Sequence, residues 1–273
     1  MCGRFILVQR LEAIEKRFQV EALADFPLEP NYNVAPGQYT AIISSAEPRK
    51  LQLMRFGLTP FWAKKDMLII NARAEGDHNK ENRADFSGAK GIIEKPSFRK
   101  PIRSQRCLVI ADAFIEGTTN EKLSKPYLVY LRNKVRPFAM AGIYDTWIHP
   151  VSGLEISSFA IVTTTANSLM QKIPHHRSPV ILSPSSEKKW LNTDAPLSDI
   201  TRLLKPYDAE LMNAYPIAAT IKSPSATGPS LIQPTGPPLE IEIEYKNTQY
   251  LTKKGMGNPK TSFHDHGEET LLK

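Results

Sequence analysis

The 273-residue sequence contains only two cysteines, Cys2 and Cys107, at opposite ends of its first half. So few cysteines exclude a disulfide framework and favour an intracellular location. No Cys-x-x-Cys pair occurs, and the histidines show no zinc-ligand spacing with the cysteines. We therefore predict no structural metal, and we interpret the His264-Asp265-His266 cluster near the C-terminus as incidental.

Long hydrophobic runs are also missing. No apolar stretch approaches the roughly 20 residues that a membrane-spanning helix needs. The N-terminal segment MCGRFILVQRLEAIEKRF lacks a basic region followed by a long apolar one, so we predict no secretory signal and a cytoplasmic protein. No phosphate-binding loop and no Gly-x-Gly-x-x-Gly turn occurs, and we predict no cofactor.

Positive charge is in excess and is unevenly distributed. The formal net charge is +7, but residues 237–273 hold five lysines against six acidic residues. Residues 1–236 therefore carry 30 basic and 22 acidic residues. A basic folded region suggests a polyanionic partner such as nucleic acid, although a basic surface also suits a merely soluble protein.

The hydrophobic pattern predicts an α+β domain that is mainly β. Leu11, Ile14 and Phe18 recur at helical spacing, and EPNYNVAPGQ is predicted to be a loop because Asn, Pro and Gly punctuate it. Short runs rich in Val, Ile, Phe and Tyr then predict strands: YTAIIS, KLQLMRF, LIINAR, RCLVIA, YLVYL, FAMAGIY and SSFAIVTT. Helical signals return in SPSSEKKWL and LSDITRLL. Without a βαβ rhythm, this order favours a curved or barrel-like mixed sheet with peripheral helices.

We predict one domain over residues 1–236 and a C-terminal extension over 237–273. Within the extension, LEIEIEYKNTQY alternates apolar and charged residues and could add an edge strand. NPKTSFHDHGEETLLK is polar and is predicted to be disordered.

The first residues offer a specific chemistry. The small side chain of Cys2 permits removal of Met1, which would leave Cys2 with a free α-amine beside its thiol. An α-amine titrates near about 7.7–8 and a thiol near about 8.5, so both nucleophiles are reactive near neutral pH. A 1,2-aminothiol condenses with an aldehyde to an imine, and the thiol then closes a thiazolidine ring. The ring-opened sugar of an abasic DNA site is such an aldehyde.

Eight short motifs follow one another along the chain. They are MCGRF from Met1, YNVAPG from Tyr32, RFGLTPFWA from Arg55, INARAE from Ile70, KPSFR from Lys95, RCLVIADAFIE from Arg106, PHHRSPVIL from Pro174 and LIQP from Leu231. In this order and spacing, residues 1–235 resemble the SRAP family, the SOS response-associated peptidases, also called abasic-site processing proteins. We therefore expect an SRAP-like domain.

The resemblance implies roles for nine residues. The expected crosslinking or catalytic residues are Cys2, Asn71, Glu116 and His175. The expected DNA-binding residues are Arg4, Asn33, Pro36, Trp62 and Arg73. Among them the two arginines suit phosphate, because a guanidinium stays charged and binds oxyanions through two hydrogen bonds. Trp62 would stack on a base, and core packing is its alternative.

The function implied is covalent capture of abasic sites in single-stranded DNA, or at single-strand/duplex junctions, by a monomer that shields them from cleavage. Slow reversal and self-removal of Met1 would be lyase-like and peptidase-like activities. The alternative is an N-terminal-nucleophile hydrolase, because class II glutamine amidotransferases also begin Met-Cys-Gly. A DNA-binding module without catalysis is a third, weaker possibility.

Several residues receive other expectations. Apolar neighbours predict that Cys107 is a buried, inert thiol. Arg99, Lys100, Arg103 and Arg106 either line a DNA groove or are simply solvated. The chain departs from the family pattern at Gly117 and Ser178, where an aromatic residue and a methionine are usual, and in an extra loop before KPSFRK. These departures bear on the shape of the DNA groove and on the rate of reversal.

Overall fold

The computed structural model describes residues 2–132 and 135–242. The strands are β1 (Arg4–Leu7), β2 (Asn31–Val34), β3 (Tyr39–Ser44), β4 (Gln52–Phe56), β5 (Asn71–Arg73), β6 (Arg106–Ala111), β7 (Ala113–Thr118), β8 (Lys122–Leu131), β9 (Phe138–Ile148), β10 (Glu155–Thr165), β11 (Arg177–Pro179), β12 (Ile181–Leu182) and β13 (Met212–Pro216). The helices are α1 (Leu11–Phe18), α2 (Pro101–Ser104), α3 (Ser168–Lys172), α4 (Pro184–Leu191) and α5 (Leu197–Arg202).

Five strands close into a ring in the order β10-β4-β3-β6-β9, with β9 pairing back to β10. The short strands β5 and β11 continue along β10, and β12 pairs with β9. A second, antiparallel sheet has the order β13-β8-β7-β1-β2. The predicted mainly β fold with a barrel-like mixed sheet and peripheral helices is confirmed.

The buried side chains of the ring strands point alternately to the two faces of the sheet, and they therefore form two separate hydrophobic clusters. Phe56, Val109 and Phe159 belong to one cluster with Phe5 and Phe114 of the second sheet. The neighbouring positions on the same strands form another cluster with helix residues, among them Ile14 of α1 and Trp190 of α4. Successive side chains of a strand point to opposite faces, so each ring strand packs on the second sheet and on the helices at once.

The prediction of a loop over EPNYNVAPGQ is wrong in part, because Asn31–Val34 forms β2. Phe5 pairs with Val34, and Leu7 pairs with Asn31. The hydrogen bonds of β1 hold this segment extended despite its Asn residues, which have low intrinsic strand preference. Predicted helices over 183–191 and 197–204 are confirmed as α4 and α5, and the segment from Leu11 to Phe18 is helical as predicted.

The chain up to Leu239 forms one compact unit, and Glu240 begins a second unit. Most of the predicted edge strand and all of the predicted disordered tail lie outside the described residues. In residues 2–132 and 135–242, no helix has the length and apolar character that crossing a membrane requires.

Candidate functional site

Cys2 lies two residues before the start of β1 and is only 1% exposed. The side-chain amide of Asn71, the first residue of β5, donates hydrogen bonds of 2.9 Å to the carbonyl oxygens of Cys2 and Ile70. The first of these bonds joins the start of the chain to β5. Cys2 and Asn71, which are far apart in sequence, are therefore in direct contact.

Glu116 is brought to Cys2 by the pairing of β1 with β7. Arg4 lies opposite Ile115 in this antiparallel pair, so the residues before Arg4 run alongside those after Ile115. Glu116 is 3% exposed, and burial raises the pKa of its carboxyl group to about 7. Burial, followed by the charge of Glu116, raises the pKa of the Cys2 thiol well above its usual value. At neutral pH the thiol is therefore protonated, and Glu116 is poised to hold or release a proton.

His175 lies next to Glu116. Its Nε2 atom is 3.4 Å from Oε2 of Glu116, and both side chains are at most 4% exposed. Burial lowers the pKa of His175 to about 4, so the imidazole is neutral where Glu116 titrates. The pair is consequently not an ion pair at neutral pH, despite its short separation. It shares at most one proton, which resides on Glu116.

The tautomer of His175 follows from its other ring nitrogen. Nδ1 lies 2.9 Å from the carbonyl oxygen of Arg177 and 3.3 Å from the Arg177 amide nitrogen. The two contacts favour opposite tautomers, because the carbonyl needs a proton on Nδ1 and the amide can donate only to a lone pair there. The carbonyl contact is the shorter, and on it we assign the proton to Nδ1. With this tautomer, Nε2 carries the lone pair on the side facing Glu116.

Arg177 itself is 1% exposed and ion-paired. Its Nη1 atom is 2.8 Å from Oε2 of Glu75, and its Nη2 atom donates to the carbonyl oxygen of Thr163 at 2.8 Å. Glu75 is fully buried, and its Oε1 atom accepts a 2.9 Å hydrogen bond from the Thr164 hydroxyl. Both residues belong to motifs quoted above, INARAE and PHHRSPVIL, yet residue type alone gave no signal that they pair.

His176 and Arg73 extend the polar surroundings. The His176 ring stacks on that of His175, with centroids 5.0 Å apart, and its Nδ1 atom is 3.1 Å from the Thr119 hydroxyl. Burial, with His175 as the second cause, lowers the pKa of His176 to about 4. Arg73 is half-buried on β5 and donates at 3.3 Å to the carbonyl oxygen of Asn79.

Two of the predicted DNA-binding residues contact the segment 222–226. Nη2 of Arg4 donates to the carbonyl oxygen of Lys222 at 3.4 Å. The Asn33 amide donates to the carbonyl oxygens of Ser223 at 2.9 Å and Ala226 at 3.1 Å. Asn33 is 1% exposed, so this amide fastens the segment to β2.

Two neighbouring aromatic side chains, Phe61 and Trp62, are exposed on the surface. Phe61 is 53% exposed and Trp62 is 47% exposed, which contradicts the core-packing interpretation of Trp62. The loop is fixed from behind, because the Phe61 amide donates to Asp145 at 2.9 Å and the Trp147 indole donates to the Ala63 carbonyl at 2.7 Å. Pro36, which is half-buried, completes the set of predicted DNA-binding residues.

The sequence predicted that the basic run from Arg99 to Arg106 either lines a DNA groove or is solvated, and neither prediction holds for Arg106. It is 1% exposed and donates to the carbonyl oxygens of Ile102 at 2.9 Å and Asn192 at 2.6 Å, so it neither lines a groove nor is solvated. Arg106 is the first residue of β6, whose residues are all buried, and for this reason the prediction of an exposed side chain was wrong. Arg99, Lys100 and Arg103 are exposed. The expectation for Cys107 is confirmed, since it is fully buried and burial raises the pKa of its thiol.

Comparison with known proteins shows the family of the chain. The family model described as "SOS response associated peptidase (SRAP)" matches residues 1–224. The chain is 38% identical over 240 residues to the abasic site processing protein YoqW of Bacillus subtilis, covering 85% of this chain and 99% of that protein. It is 36% identical over 241 residues to YoaM of the same organism, covering 85% and 97%. A crystal structure of a Bacteroides thetaiotaomicron protein has a TM-score of 0.71 at 32% identity, covering 85% and 99%.

The fold and site thus define a class of protein in which an asparagine contacts the main chain of Cys2, and the glutamate of a buried glutamate–histidine pair lies on the strand paired with the start of the chain. The chain belongs to the SRAP family.

Proposed function

We propose that this protein captures abasic sites by forming a covalent thiazolidine between Cys2 and the ring-opened sugar. The observation that carries the proposal is the buried Glu116–His175 pair beside Cys2, with a separation of 3.4 Å between the two side chains. A carboxyl group with a raised pKa next to a neutral imidazole is suited to moving protons in both directions at neutral pH. The abasic site would be held in this state and shielded from strand cleavage.

The first step is imine formation. After removal of Met1, the α-amine of Cys2 adds to C1 of the aldehyde, and the resulting carbinolamine loses its hydroxyl group as water. Glu116 in its protonated form donates the proton to the departing hydroxyl, and Nε2 of His175 accepts the proton that the nitrogen releases. Asn71 fixes the carbonyl group of Cys2 during these steps through its 2.9 Å hydrogen bond.

Ring closure follows. The Cys2 sulfur adds to the imine carbon, the thiol proton is transferred to the nitrogen, and the net change is the loss of one water per crosslink. The raised pKa of the thiol fits this order, because a protonated thiol leaves the first attack to the amine. The same carboxyl group could return a proton to the ring and permit slow reversal, which is the lyase-like activity.

DNA binding would use residues around this centre. In this proposal Arg4 and Arg73 contact phosphates, Trp62 stacks on a base, and Asn33 and Pro36 shape the path of the strand. Base stacking tolerates any sequence, so we expect single-stranded DNA or strand junctions to bind without strong sequence preference. We propose that a monomer acts, that residues 1–236 suffice, and that the protein works in the cytoplasm and at the nucleoid.

The peptidase activity in the family name would consist of self-removal of Met1. The hydrolase alternative is not favoured: the relatives named above are abasic site processing proteins. A glutaminase assay separates the two functions.

Intact mass spectrometry tests the proposal. Protein incubated with a single-stranded oligonucleotide carrying one abasic site should lack Met1 and gain the oligonucleotide mass minus one water, at Cys2. Cys2→Ala should form no stable adduct but should be trapped as an imine by cyanoborohydride, since its α-amine remains. A stable adduct on Cys2→Ala without reductant, or none on the wild-type protein lacking Met1, would contradict the thiazolidine mechanism.

A further inference from the structure

The buried ion pair between Glu75 and Arg177 joins the two edges of β10. Ala74 donates to the carbonyl of Thr163 on one edge, and Val180 donates to the carbonyl of Val162 on the other. Neighbouring carbonyls of a strand point to opposite edges, so β5 and β11 lie on opposite sides of β10. Glu75 follows β5 and Arg177 begins β11, and their side chains meet at 2.8 Å.

Each edge also carries a residue of the proposed reaction. Asn71 begins β5 and holds the Cys2 carbonyl, and His175 precedes β11 and faces Glu116. The main chain of Arg177 makes both contacts to Nδ1 of His175. Whatever fixes Arg177 therefore fixes the position of the His175 ring and the proton that we assign to Nδ1.

We infer that Glu75 is a positioning residue for His175, acting through Arg177, an inference that rests on the proposed role of His175 in crosslinking. A fully buried ion pair is costly to desolvate and is weak evidence for stability alone. Each partner of this pair has a further hydrogen bond that holds it in place: Thr164 donates to Glu75, and Arg177 donates to Thr163. Its geometry sets the distance between the end of β5 and the start of β11.

The decisive variant is Glu75→Gln, which keeps the shape of the side chain and removes its charge. We expect the crosslinking rate at saturating abasic oligonucleotide to fall by about 10- to 100-fold, because small displacements of reacting groups have effects of that size. The matched control is Glu187→Gln. Glu187 is also buried and is ion-paired with Arg17 at 2.7 Å, but it contacts no residue of the site.

A spectroscopic measurement separates positioning from stability. Long-range proton–nitrogen correlation spectra of the histidine rings, with His175→Gln to identify the His175 signals, report which ring nitrogen is protonated. We expect Nδ1–H in the wild-type protein and in Glu187→Gln, and a mixture of tautomers in Glu75→Gln. If Glu75→Gln does not fold, Glu75→Gln/Arg177→Met removes both buried charges; we expect this double variant to fold but to crosslink as slowly.

Two results would overturn the inference. One is a wild-type tautomer of His175 in the variants that lack Glu75. The other is a crosslinking rate in the folded double variant equal to that of the wild-type protein. Should the wild-type protein form no adduct, the proposed function fails, and the tautomer measurement still decides whether Glu75 positions His175.

Discussion

At the scale of single residues, Glu116 makes the most direct prediction about pH. Its folded pKa is about 7 and its ordinary value is 4.5, so the folded state binds a proton that the unfolded state has lost between these values. This proton alone should lower stability by about 3 kcal/mol as pH rises from about 4.5 to about 7. The lowered pKa values of His175 and His176 raise stability over much of the same range, so the effect of Glu116 is obtained from the difference between two proteins. In urea unfolding, the stability of the wild-type protein relative to that of Glu116→Gln should fall by this amount across the range. Parallel curves would show that Glu116 is not protonated in the folded state.

The same carboxyl group should shape the rate of crosslinking. If protonated Glu116 donates to the leaving hydroxyl, the rate should decline as pH rises through about 7. In Glu116→Gln that decline should be absent, and the rate should be lower by about 100-fold, the usual contribution of one acid–base group. Single-turnover crosslinking between pH 5 and 9 measures both. An unchanged decline in the Gln variant would assign it to another group.

At the scale of elements, Gly117 explains one departure from the family pattern. It lies in β7 at the register shift opposite β8, and a Cβ atom there would collide with the backbone carbonyl of Lys122. An aromatic side chain cannot occupy this position without moving β8. We expect Gly117→Ala to destabilise the protein by about 1–3 kcal/mol, as overpacking does. Chemical denaturation measures the change in stability, and an unchanged midpoint would mean that β7 and β8 can move apart at little cost.

Asn33 anchors the segment 222–226 to β2 through two hydrogen bonds. In Asn33→Ala the carbonyls of Ser223 and Ala226 lose this donor, which we expect to cost about 1–2 kcal/mol. Amide hydrogen exchange should also speed up in that segment. A variant of unchanged stability and exchange that binds DNA more weakly would instead support direct contact of Asn33 with the strand.

The elements predictable from sequence are those whose own residues decide their structure. β3 and β6 are mostly apolar and, apart from the exposed Tyr39, are buried on both faces; both were predicted to the residue. β2 was missed because its partner β1 decides its conformation. The same distinction applies to the residues of the site, since the motifs indicate Cys2, Asn71, Glu116 and His175. No local pattern predicts the Glu75–Arg177 pair, because it depends on β5 and β11 lying on opposite edges of β10.

At the scale of the whole molecule, the excess of positive charge should appear as salt-dependent DNA binding. In a Cys2→Ala background, which leaves non-covalent binding, the logarithm of affinity for a single strand should fall linearly with the logarithm of salt concentration. Each phosphate contact contributes a slope of about 0.7 for single strands, so Arg73→Ala and Arg4→Ala should each reduce the slope by about that amount.

The control for this measurement is Arg202→Ala. Arg202 is an exposed arginine of α5 that pairs with Asp199, and its removal lowers the net charge equally. If net charge alone attracts DNA, the three variants should lose affinity to the same extent. If the strand follows a defined path past β1 and β5, the losses should be confined to Arg4 and Arg73, since counterion release depends on phosphates neutralised in contact. Equal slopes in all four proteins would remove both arginines from the phosphate path and leave Cys2 chemistry without its proposed binding site.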